Sequence, residues 1–114
     1  MILIYSNPES RRIWQGFSDG ERAVGLEAYA ALHQELTGSG ELIASEALAD
    51  PARARRVALP SDGPFAEAKE HLAGFFLVDC DGFDRALEIA GRVPEAPLGL
   101  VEVREVVDPS QAGT

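Results

Sequence analysis

Asp62-Gly63-Pro64-Phe65-Ala66-Glu67-Ala68-Lys69-Glu70 leads directly into His71-Leu72-Ala73-Gly74-Phe75-Phe76-Leu77-Val78. Phe75 to Val78 is an unbroken apolar run and the strongest strand signal in the chain, which predicts a strand covered on both faces. Asp-Gly-Pro supplies the bend before it. A bend needs only Gly and Pro. Four ionisable residues, Asp62, Glu67, Lys69 and Glu70, crowd around Phe65 beyond that need and mark a candidate site.

Working outward toward the C-terminus, Asp81 is expected to cap a helix whose buried stripe is Phe83, Ala86, Leu87 and Ala90. Gly91 and Pro94 end it. Gly99 to Val107 reads as the last strand. Val101, Val103, Glu105 and Val107 share one face; Leu100, Glu102, Arg104 and Val106 share the other. Toward the N-terminus, Pro60 to Pro64 is a loop, with a single helical turn over 66–70. Arg53 to Leu59 reads as a short edge strand whose arginines discourage pairing with other chains. Glu41 to Leu48 is a further strand. Ser18-Asp19-Gly20-Glu21 is a capping box, and Gly25, Tyr29, Leu32 and Leu36 recur at helical spacing. A helix from about Asp19 to Thr37 follows, closed by Gly38 and Gly40. Residues 8–18 read as a polar connection carrying Trp14, a lid or dimer contact. Ile2 to Ser6 is a buried first strand stopped by Asn7-Pro8.

Without the small edge strand, the order is β-α-β-β-α-β, a split βαβ ferredoxin-like α+β domain. Both helices then cover one face of the sheet. The other face carries apolar surface too large for so small a domain to leave wet, so a second copy packed face to face is expected. The 114 residues suffice for one domain, expected over 1–107 with a frayed tail at 108–114.

The formal charge of −9 argues against nucleic acid and anionic membranes. No run approaches the roughly 20 apolar residues of a membrane span. Met1 to Tyr5 lacks a basic n-region, so a strand is expected there and not a signal peptide. The single Cys80 forms no internal disulfide and fits a reducing cytoplasm, where it reads as a small buried hydrophobe. Two scattered histidines make no metal-ligand pattern, and no cofactor is expected.

The run Asp62 to Glu70, followed by Ala73-Gly74-Phe75-Phe76 and later by Val101-Glu102-Val103-Arg104, resembles the YCII-related proteins of the DGPF (DGPFAETKE) type. Eight of the nine motif positions agree, with Ala68 in place of the usual Thr. The likeness extends to Leu3-Ile4-Tyr5, Tyr29 and Glu46. It implies a dimeric α+β barrel and a superfamily holding small oxygenases, isomerases and a dechlorinating enzyme beside members with no assigned activity. It also implies a link to extracytoplasmic-function sigma factors. Two departures stand out. Leu59-Pro60-Ser61 replaces a longer hairpin leading into a Thr. The His of the wider group's His–Asp pair has no match here.

Candidate residues divide by chemistry. Asp62 beside Phe65 suits a general acid or base, and equally an Asx turn. Lys69 between Glu67 and Glu70 suits anion binding, or a solvated helical turn. Glu102 and Arg104 are placed toward the open sheet face, as ligand contacts or as a structural ion pair. His71 is the better histidine candidate. His33 sits on the helix side, at the margin of the core. Tyr5 and Glu46 are expected to line the cavity. Three readings result: a homodimeric small-molecule-binding or regulatory accessory protein, for which the resemblance implies a link to a sigma factor; a cofactor-free isomerase, lyase or oxygenase-like enzyme using Asp62; and a purely structural dimerisation module.

Overall fold

The computed structural model describes residues 1–57 and 69–110. Strand β1 (Ile2–Ser6) leads through helix α1 (Pro8–Gly16) into the long helix α2 (Asp19–Ser39). Strand β2 (Leu42–Ala47) follows, then β3 (His71–Val78), helix α3 (Phe83–Ala90) and strand β4 (Val101–Val103). The sheet order is β2-β3-β1-β4, and every neighbouring pair is antiparallel. This mixed α+β arrangement is that of the expected ferredoxin-like split βαβ domain.

The local signals behind α2 act as read. Ser18 accepts from the Glu21 amide at 3.2 Å, and the Ser18 amide donates to the Glu21 carboxylate at 2.9 Å. Both orphan donors at the helix start are thereby satisfied. Gly40, at φ 80°, closes the far end, while Gly38 lies inside the helix. Leu32 and Leu36 are buried on Ile2, Ile4, Phe76, Ile89, Ala90 and Val93, with Tyr29, Leu42, Val78, Val101 and Val103 packed at the margin. Alternation assigns these strand residues to one face, so α2 and α3 cover a single side of the sheet.

Several expectations are corrected. Residues 8–16 form a helix where a polar connection was expected. Asn7-Pro8 is a start signal: Asn7 accepts from the Ser10 amide at 2.7 Å, and Pro8 occupies a first-turn position that needs no N–H. Trp14 therefore sits on a helix. It tilts against Phe17, lies beneath the Arg22 guanidinium and abuts Gly25 of α2. In place of a third strand beginning at Arg53, Pro51–Arg53 makes one 3-10 turn capped by Asp50, and Arg55 forms an isolated bridge. Arg56 and Val57 are not strand either, and a bend stands at Lys69 and Glu70; residues 58–59 of that strand, the loop at 60–64 and residues 66–68 of the expected helical turn lie outside the described residues.

Gly82, at φ 91°, caps α3 without a side-chain bond, and Asp81 does not. The buried stripe of α3 is Ala86, Ile89 and Ala90, continued by Val93, whereas Phe83 and Leu87 are about half exposed. Strand β4, expected over 99–107, covers only Val101–Val103. Its ladder matches Val101 to Ile4 and Val103 to Ile2, and Arg104 N–H reaches Met1 C=O at 2.9 Å.

Candidate functional site

The sheet register defines the uncovered face. Glu46 pairs with Phe75, Phe75 with Leu3, and Leu3 with Glu102, a row across all four strands. Ile2, Phe76 and Val103 point to the helices, so this row points away from them. Ala44 and Leu77 form the adjacent pair of the same parity. The centre of this face is thus Leu3, Phe75 and Leu77, with carboxylates at both ends.

At the β4 end the face falls into an open depression of about 580 Å³ lined by Tyr5, Lys69, Glu70, Gly99, Leu100, Val101 and Glu102. Tyr5 follows Leu3 by two positions on β1 and so shares its uncovered face; the register shift beside it leaves Ala73 of β3 as the extra residue. The Tyr5 amide donates to Leu100 C=O at 2.8 Å. Its hydroxyl donates to Glu102 Oε1 at 3.1 Å. Burial raises the Tyr5 pKa first, and the bond to Glu102 adds to the effect. The charges of Glu102 and Glu70 push the same way, opposed by Arg104. The phenol is therefore held as a neutral hydroxyl.

Tyr5, Lys69, Glu70 and Glu102 come together at this depression. Arg104 acts on Tyr5 electrostatically without lining the depression. Glu46 shares the face but stands three strand spacings from Glu102, about 14 Å. His71 belongs to a second, smaller depression of about 310 Å³, with Leu48, Asp50, Arg53 and Leu72 among its walls. His33 lies exposed on α2. Cys80 is half-buried, with its thiol directed at Gly82 C=O. Asp62, Phe65 and Glu67 lie outside the described residues. Among the described residues, no three His, Cys, Asp or Glu side chains gather as a metal site. No helix there is long and apolar enough to cross a membrane.

One polar pair escaped the sequence reading. Tyr29 of α2 donates its hydroxyl to Glu95, in the turn between α3 and β4, and its ring stacks on Phe76. Burial raises the Glu95 carboxyl, against the lowering effect of the Tyr29 bond, and burial with the nearby carboxylate drives the Tyr29 phenol well above its usual range. The available signal was a lone carboxylate in a proline-rich turn, Pro94-Glu95-Ala96-Pro97, following a helix that ends at Gly91.

The molecule is thus an antiparallel ferredoxin-like α+β domain with helices on one face and a polar depression at the edge of the other. The chain belongs to the YCII-related family, whose domain matches residues 1–110. It is also 32% identical over 108 residues to an uncharacterised protein of Rhizobium meliloti (strain 1021), an alignment covering 90% of this chain and 87% of that one.

Proposed function

We propose that the protein is a homodimer that binds a small organic ligand in a chamber formed where a second copy covers the open sheet face. One observation carries the reading: a depression of about 580 Å³ adjoins the uncovered face and gathers a phenol, an ammonium and two carboxylates at Tyr5, Lys69, Glu70 and Glu102. That volume suits a small-molecule pocket, and a few convergent polar groups beside apolar surface are what fixes a ligand's orientation. Leu3, Phe75 and Leu77 supply the apolar surface. The DGPF-type motif ends at Lys69 and Glu70, on the rim of this depression, which ties the family's signature to the same place.

A thermal-shift screen of small molecules tests the reading. A true ligand at about 100 times its dissociation constant adds about 2.7 kcal/mol of stability. That gain should shrink in a Tyr5→Phe, Glu102→Gln variant. Gains that survive the double substitution place binding elsewhere and overturn the reading. The enzyme alternative, with Asp62 as general acid or base, differs in one respect: hits would be consumed, which chromatography of the incubated ligand detects.

A further inference from the structure

The Tyr5 hydroxyl has one hydrogen, and it is committed to Glu102. What the pair offers a visiting molecule is therefore lone pairs alone, on the phenolic oxygen and on the carboxylate. Glu70 lines the same depression and, ionised, is likewise an acceptor without a hydrogen to give. A ligand bringing only acceptors meets three groups that cannot donate to it. A ligand bringing N–H donors satisfies all three.

Charge points the same way. Among the described residues, the lining holds two carboxylates, Glu70 and Glu102, and one ammonium, Lys69. At the Tyr5 hydroxyl the fields of Glu102 and Glu70 act together, with Arg104 opposing them. The Tyr5 ring adds a π-face, which attracts cations. We infer that the depression beside Tyr5 takes a small ligand carrying a protonated amine, seated against Glu102 and Glu70 beside the phenol ring. This inference rests on the reading of the depression as a ligand site and adds the chemical class of the ligand. Lys69 then meets whatever acceptor the ligand carries away from its amine.

Three probes of one shape and different charge make the test: benzylammonium, benzyl alcohol and benzoate. Each is titrated into the full-length, nitrogen-15-labelled protein at low salt, because exposed charges are screened within about 10 Å at 0.1 M. Amide shifts of Tyr5 and of residues 99–102 report the site. Benzylammonium is expected to bind at least about fivefold tighter than either of the other probes, as a charge-assisted contact requires. Glu102→Gln keeps the shape and removes the charge; it should erase the preference for benzylammonium over benzyl alcohol. Glu70→Gln gives an independent second reading, and dispersed amide spectra certify that both variants fold. Equal binding of the three probes, a preference for benzoate, or a preference for benzylammonium that survives both substitutions overturns the amine assignment and leaves the ligand-site reading intact. Shifts with none of the probes at these amides overturn both.

Discussion

Tyr5 and Glu102, 97 positions apart in the chain, meet on the uncovered side of the sheet, where the phenol donates to the carboxylate at 3.1 Å. The contact exists because β1 and β4 are neighbours and because Leu3, which pairs with Glu102, and Tyr5, two positions on, share one face of β1. Glu102 should therefore add to the effect of burial on how Tyr5 ionises. The Tyr5 hydroxyl is expected to titrate above 10.0, and Glu102→Gln should move it back toward that value. The sign follows for stability: a raised hydroxyl contributes fully below the unfolded value, and the contribution is lost as pH rises through the folded one. Ring-labelled NMR titration checks this, and an unchanged Tyr5 midpoint in the variant would refute the coupling.

Tyr29 and Glu95 join the middle of α2 to the turn before β4. Tyr29→Phe leaves a half-buried carboxylate without its donor and should cost about 1–3 kcal/mol in denaturant unfolding. Glu95→Gln tests the charge separately. The folded Glu95 carboxyl is raised above 4.5, so its contribution is present below that value and is lost as pH climbs through the folded midpoint. The Gln variant should therefore compare best with the parent at neutral pH and lose that standing as pH falls toward 4.5. A pH-independent difference contradicts the assignment.

Arg85 binds Glu41 through two nitrogens, Nε to Oε2 at 3.0 Å and Nη2 to Oε1 at 2.9 Å, and Nη1 reaches Glu88. This fork ties the first turn of α3 to the entrance of β2. Chiefly through Arg85, and secondarily through Ser39, the Glu41 carboxyl is lowered to about 2. Stability from the pair is expected above 4.5 and should fade as pH falls through about 2. Arg85→Gln should return the Glu41 midpoint, read by carboxyl-carbon NMR, toward 4.5. A midpoint that stays near 2 would assign the shift to other groups.

Gly74 lies where β2 and β3 approach closely. A Cβ there would stand 2.7 Å from the Glu46 carbonyl oxygen, and that oxygen belongs to backbone that cannot swing aside. Gly74→Ala should therefore destabilise the sheet by about 1–3 kcal/mol. Chemical denaturation measures it, and a neutral substitution would show the strands free to separate at that point.

What the sequence disclosed depended on whether a signal was local. The Ser18–Glu21 box and the apolar run at Phe75 to Val78 needed only near neighbours, and both elements stand where they were read. Asn7-Pro8 misled because the same dipeptide stops a strand and starts a helix, and only the following residues decide between them. The shift of α3's stripe from Phe83 and Leu87 to Ile89 and Val93 was not legible. Periodicity gives spacing, whereas tertiary packing chooses the face. On the site, alternation along β4 correctly set Glu102 opposite the valines. It could not separate Glu46, at the far edge of the same face, or send His71 to a different depression. Those placements depend on strand order and register, which no short stretch of residues encodes.

In the proposed dimer, a second copy covers Leu3, Phe75 and Leu77 and closes the chamber beside Tyr5. Sedimentation equilibrium at micromolar concentration tests it most directly, run on the parent and on Phe75→Asp. The account predicts a parent of twice the 12.2 kDa chain mass and a folded variant at the single-chain mass. A parent that sediments as a monomer across the whole concentration range would contradict it.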